Sequence, residues 1–430
     1  AIGTNAMLGG DLANNNVDFK SNIAIGQNAL DATSNNAQVG AIAIGFNALT
    51  AMTTGGSSTG GNTAIGYEAA KQTTTGGGNT ALGYLALSGD SDGDGGDNTA
   101  LGHKTLLAAV SPSKNVAIGD SAMRVMNGTA NGIAQCIAIG ANAFYGDATN
   151  TTTATNGTIA IGYQALKILT VGTQNTAVGY QNMIETTSGS YNTTLGYNVM
   201  SQDGGLANTN NTFIGANVAS GDWTTTASTS NTGVGAGVMQ SAMNGATNNT
   251  AVGLDGLNAL TSGDNNTAIG RSSTDALTTG VQNTAVGSFS LSTAVGVNNC
   301  VAIGYAAMNS ANTQDGSVAV GFAAANYLVG GLGVTTVGFS SGRYVTTGDY
   351  STALGYNTLG GNTGGVAITG NDNTALGANA GRDIQGSAEG NVLVGKDAGM
   401  GMTTGNFNVL VGRDAGDSLG AQTHNTAIGT

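Results

Sequence analysis

Proline is almost absent from these 430 residues, and Pro112 is the only one. Proline lacks a backbone donor and is confined to the edges and bends of sheets, so this chain can commit nearly all of its backbone amides to ladders. Charge is scarce as well, at 8% of residues, with 11 Lys and Arg standing singly against 24 Asp and Glu. A net charge of −13 without a basic cluster excludes a surface that tracks phosphates, so no nucleic acid partner is expected. No apolar run approaches the roughly 20 residues of a membrane-crossing helix, and no membrane insertion is expected. Ala1 stands where an initiating Met or a secretion signal would be, which leads us to expect a segment of a longer or processed product.

Histidine and cysteine are equally sparse. His103 and His424 are the only histidines and lie 18 repeats apart, so they cannot share one catalytic site within a chain. No Ser-His-Asp arrangement, metal-ligand cluster or phosphate loop is visible, and we expect no enzyme activity and no cofactor. A polysaccharide depolymerase using paired carboxylates is the remaining catalytic alternative. Cys136 and Cys300 occupy the same place in two repeats nine apart, some 40 Å at about 4.8 Å per turn, too far for a disulfide within one straight chain. Each reads as a free, small, buried residue or as one that pairs with a symmetry copy.

What the chain has in abundance is one motif. A small residue, then Ile, Leu or Val, then Gly recurs from Ala1-Ile2-Gly3 to Ala427-Ile428-Gly429, giving 24 signature glycines. Twelve of the 23 intervals between them are 17 residues and none is shorter. A fixed short period means stacked identical units. Seventeen extended residues span roughly 56 Å, enough for one flattened coil of two short strands and two bends. We therefore expect an all-β, parallel β-solenoid of about 23 rungs over residues 1–430, one uninterrupted domain on the order of 110 Å long.

The position three before each glycine is Thr, Val or Ile, and the one just before it is always Ile, Leu or Val. Residues two apart share one face of a strand, so these two columns are expected to point into the core. The residue between them is Ala in 18 of 24 repeats and would face outward, where a small-residue stripe admits another chain. Four before the glycine stands Asn in 16 of 23 repeats, among them Asn62, Asn266 and Asn425, which predicts an asparagine ladder. After the glycine, pairs such as Ala29-Leu30, Ala48-Leu49, Ala122-Met123 and Ala165-Leu166 supply a second inward anchor. The extra residues of longer repeats fall in Gly-, Thr-, Ser- and Asp-rich loops on one variable edge.

Rungs such as Asn62-Thr63-Ala64-Ile65-Gly66-Tyr67 and Ser317-Val318-Ala319-Val320-Gly321 resemble the head repeats of trimeric autotransporter adhesins and, more closely, the repeats of bacteriophage tail-fibre and related surface-fibre proteins. The likeness runs through the whole chain, although these coils are longer than the usual adhesin-head coil. It implies a left-handed β-roll, usually a homotrimer, displayed outside the cell or on a virion as a stiff binding rod. A structural extracellular fibre or adhesin, self-assembling and presenting variable loops to a cell-surface glycan or other receptor, is the expected function. The alternatives are a homopolymeric filament joined end to end through uncapped strands, and an ice-binding solenoid built on threonine ladders.

Three candidate sites stand out from the repeat. Asp90, Asp92, Asp94 and Asp97 imitate the start of a calcium loop, although Leu101 occupies the position of the closing bidentate Glu. Tyr67 and Tyr84 belong to an aromatic column just after the signature glycine that could offer ring faces to sugars or pack against neighbouring rungs. Trp223, in the inserted loop Gly221-Asp222-Trp223-Thr224, is expected as a receptor contact because it has no ladder duty.

Overall fold

The computed structural model describes residues 1–8, 19–31, 38–52, 61–89, 95–109, 111–126, 133–146, 155–310, 315–361 and 365–430. They gather into two compact units, Ala1–Ala216 with Asp222–Ala227, and Asn217–Gly221 with Ser228–Thr430. The regular structure among the described residues is β throughout, without a helix. The first unit carries eleven signature strands, from Ile23–Ile25 to Thr212–Ala216, and the second carries twelve, from Thr232–Ala236 to Thr426–Ile428. Within each unit every strand pairs, parallel and in register, with that of the next repeat, so Ala24 lies beside Ala43 and Ala268 beside Ala285. This is the expected parallel β-solenoid with a basic turn of 17 residues.

The coil contains one strand rather than the expected two. After most signature glycines the chain runs through turns in which two non-glycine residues adopt left-handed conformation, such as Asn47 and Leu49 (φ 54° and 51°) or Gln181 and Met183 (φ 53° and 51°), while after Gly235, Gly338, Gly377, Gly395 and Gly412 a glycine takes one of the two places. Among the described residues a second ladder appears in short pieces, Phe19–Lys20 with Gln38–Val39 and Ala108–Ala109 with Val125–Met126, and in isolated bridges such as Thr229 with Thr247 and Val345 with Ile368. The left-handed residues swing Ala29-Leu30, Ala48-Leu49, Ala122-Met123 and Ala165-Leu166 into the interior, and all eight are fully buried. Left-handed backbone is unfavourable for a residue with a side chain, and burial of the anchor offsets that strain.

The facing of the strand is the reverse of the expectation. In Thr63–Ile65, Ile137–Ile139, Thr284–Val286 and Val392–Val394 alike, the central residue is buried and its two neighbours are half exposed. Alternation then places Asn, Ala and Gly of the signature inside, and the β-branched and aliphatic columns outside. The reason is space. Leu, Met or Ala from the turn already fills the coil, so only a methyl fits opposite it. In three repeats a larger central residue meets a glycine in the turn: Leu393 faces Gly399, Leu410 faces Gly416 and Thr336 faces Gly342, each glycine so close that a Cβ would strike the larger side chain. The signature glycines are fixed by the next turn of backbone. Gly253 has φ +144°, and a Cβ there would overlap the carbonyl oxygen of Gly270.

The asparagine ladder is present and closes its own hydrogen bonds. Asn79 Nδ2 donates to Gly95 O at 2.9 Å, while Asn79 Oδ1 accepts from the backbone N–H and Nδ2 of Asn98, both at 3.0 Å. Because these side chains are buried, such satisfaction is required of them. Both cysteines are free and buried, as expected, and each receives the ladder on its backbone: Cys136 N donates to Asn115 Oδ1 at 2.9 Å and Cys300 N to Asn283 Oδ1 at 3.0 Å. The Cys136 thiol donates to Thr155 O at 3.1 Å, the carbonyl that an asparagine amide would reach in this repeat.

Candidate functional site: the outward sheet face

With the facing reversed, each unit presents to solvent a face built from three columns. One is Thr, Ile or Val three before the glycine, the next is Ile, Leu or Val just before it, and the third is the residue just after it. The five-residue strands show all three on one side, as in Thr193, Leu195 and Tyr197, which are exposed around the buried Thr194. No charged residue occupies the first two columns in any repeat. Leu195 is 46% exposed, Ile269 41% and Leu354 44%, high values for large aliphatic side chains repeated at every turn. A monomeric surface rarely carries so regular an apolar stripe.

The third column is aromatic in runs. Phe46, Tyr67, Tyr84 and His103 stack at centroid separations of 5.2, 5.2 and 5.4 Å, and Tyr163, Tyr180 and Tyr197 at 5.3 and 5.4 Å. Tyr305, Phe322, Phe339 and Tyr356 form a third run. Tyr67 and Tyr84 are thus exposed and adjacent, but their ring faces cover one another. The column offers edges and hydroxyls to solvent, with an open face only at the end of a run. Packing on neighbouring rungs, the simpler of the two expectations, is what the rings do. His103 closes its run and accepts or donates a 2.6 Å hydrogen bond through Nδ1 with Asp120.

Trp223 is not at the surface. It is fully buried in the first unit, packed edge-on against Phe213 with centroids 6.4 Å apart, and its backbone N–H donates to Gln202 O at 2.9 Å. The longer coil has folded its insertion inward, which corrects the expectation of a receptor contact. Of the acidic loop, Asp90, Asp92 and Asp94 lie outside the described residues, while Asp97 is exposed and donates its backbone N–H to Gly77 O. Among the described residues no three His, Cys, Asp or Glu side chains are grouped to hold a metal ion.

One buried titratable group, Asp203, escaped the sequence reading. Asp203 is fully buried, and burial pushes its carboxyl from an ordinary 3.8 up to about 6 despite a 2.7 Å hydrogen bond from Thr186 Oγ1 and a longer one from Asn208 Nδ2. Burial likewise pushes the Cys136 thiol up to about 11, so it is protonated at neutral pH and a poor nucleophile. No protein-family model and no curated protein matches the chain.

Proposed function

We propose that this chain is a non-enzymatic structural repeat protein of an extracellular fibre or adhesin, and that it self-associates through its outward sheet face. The observation that carries the reading is the uncharged apolar stripe of residues such as Leu195, Ile269 and Leu354. Eleven or twelve turns at about 4.8 Å make a face more than 50 Å long in each unit, and two columns about 7 Å apart give it an area of roughly 400 Å². That is in the range of the largest apolar patches on soluble monomers, which are often functional, and here it is drawn out as one regular stripe. A second copy of the chain presents the same ridges at the same spacing, and a closed homotrimer, the state implied by the resemblance to adhesin heads and tail fibres, buries one such face per subunit. The alanine stripe takes no part, because it lies in the core. The test is mass by light scattering for the wild type and for Ile269→Asp with Leu354→Asp. A multiple of the chain mass that falls to one chain supports the reading, and a monomeric wild type overturns it.

One observation favours a second reading. The threonines three before the glycine, expected to point inward, point outward in 14 of 23 repeats, among them the consecutive Thr232, Thr250, Thr267 and Thr284. Regular ranks of hydroxyl and methyl on a parallel sheet suit an ice-binding surface. Thermal hysteresis in a solution of the chain, lost in Thr250→Lys with Thr267→Lys, would establish it, and its absence disposes of it.

A further inference from the structure

We propose that the stacked tyrosines are sites of oxidative cross-linking, where a dityrosine bond ties one turn of the solenoid to the next. Tyr180 lies directly beside Tyr197 in the strand register and stacks on Tyr163 on its other side, with ring planes 11° and 21° apart. Tyr67 and Tyr84 repeat the arrangement at 5.2 Å and 14°. All five rings are between 43% and 51% exposed, so a diffusing oxidant reaches their edges and each ring can tip about its side-chain torsions.

The chemistry balances with one named co-reactant, a one-electron oxidant such as a haem peroxidase supplied with hydrogen peroxide. Each of two phenols gives up one electron and its hydroxyl proton and becomes a phenoxyl radical. The radicals join through a new carbon–carbon bond between ring positions ortho to the oxygens. The two displaced ring hydrogens move as protons to the oxygens and restore both phenols. Two tyrosines and one peroxide thus yield one dityrosine and two waters. Radical pairs in solution must find each other by diffusion, whereas these rings are held as neighbours, which raises the effective concentration enormously. Such a link closes a loop of 17 residues and opposes peeling of a turn from its neighbour, the opening mode open to a stack of repeats. It does not depend on the proposed self-association.

The chain supplies its own controls. Tyr305 and Tyr356 stack on phenylalanines, which do not form phenoxyl radicals, so equally exposed rings in the same column have no coupling partner. The experiment treats an equal mixture of unlabelled and nitrogen-15-labelled chain with peroxidase and peroxide, then maps cross-linked peptides by mass spectrometry. Expected are links between Tyr67 and Tyr84, within the Tyr163, Tyr180, Tyr197 run and between Tyr327 and Tyr344, which stack at 5.0 Å, each lighter by two hydrogens and each isotopically pure. Tyr180→Phe should abolish both links of its run and leave the Tyr67–Tyr84 link as an internal standard. Links of mixed isotopic mass, links at Tyr305 and Tyr356 in equal yield, or no dityrosine fluorescence would each overturn the proposal.

Discussion

The side-chain amide of Asn283 donates to Oδ1 of Asn266 at 2.9 Å across one turn of the solenoid, and the backbone N–H of Asn283 donates to the same oxygen at 3.0 Å. Asn266 in turn donates from Nδ2 to Asn249 Oδ1 and to Gly280 O. Each buried asparagine therefore serves three turns, and its replacement strands groups it does not itself contain. Asn266→Ala leaves the N–H of Asn283 and the carbonyl of Gly280 without these partners, at roughly 1–3 kcal/mol for each unsatisfied group. We expect a loss of about 3 kcal/mol or more in denaturant unfolding of the second unit. Asn266→Asp should cost more, since a carboxylate brings repulsion toward Gly280 O and Asn249 Oδ1. A change below about 0.5 kcal/mol for Asn266→Ala would remove the ladder from the account of stability.

Ala268 and Ile269 test the facing of the strand. Ala268 is fully buried, whereas Ile269 is among the exposed large side chains. Ile269→Asp should leave the melting temperature of the separated chain within the range of ordinary surface substitutions, about 0.5 kcal/mol. Ala268→Asp puts an unpaired charge between closely spaced turns and should cost several kcal/mol. Thermal unfolding of the two variants side by side decides the matter, and the reverse order would restore the inward assignment of the aliphatic columns.

The repeat length, the parallel stack, the asparagine ladder and the buried cysteines were all legible in the sequence, because a fixed period with invariant positions leaves few other structures. The facing was not. Ile and Val read as core by hydrophobicity alone, and Ala reads as an edge, but the choice depends on how much room the turn residues leave. That room is set by the left-handed conformation of Leu49 or Met183, which no pattern of polarity reveals. Trp223 was misplaced for a related reason: an insertion rich in Gly and Thr reads as a surface loop, while the hole it fills beside Phe213 exists only in three dimensions. The pairing of Leu393 with Gly399 and of Leu410 with Gly416 likewise becomes apparent only once the facing of the strand is known.

Those pairs predict a compensating exchange. Leu410→Ala removes a fully buried side chain and should cost about 2–5 kcal/mol through lost burial and a cavity. Gly416→Leu alone adds volume against Leu410, whose two methyl carbons would lie only 2.8 Å from the new Cβ, at a left-handed backbone site with φ +65°. Combined, the two substitutions restore the commoner pairing of alanine in the strand with leucine in the turn. Unfolding of the double variant should recover about 1 kcal/mol or more relative to the sum of the singles. Strict additivity would show that the two sites do not share one volume.

Asp203 should make the first unit less stable as pH rises through weak acid. Its carboxyl titrates near pH 6 in the folded chain because burial disfavours the charged form, against an ordinary 3.8 when unfolded. Between those values the folded state binds more protons than the unfolded one, so stability falls with rising pH. The contribution is fully present below about pH 3.8 and is lost above about pH 6, a span worth on the order of 3 kcal/mol at 1.36 kcal/mol per unit. Asp397 works in the opposite sense, because a hydrogen bond from Lys396 lowers its pKa and its contribution fades in acid. The comparison must therefore be a difference between chains. Asp203→Asn keeps the shape, can still accept from Thr186 Oγ1, and cannot ionise. We expect this variant to melt higher than wild type at pH 7 and to lose the advantage by pH 4. Melting curves of the two chains that stay parallel from pH 4 to pH 8 would show that Asp203 does not titrate in this window.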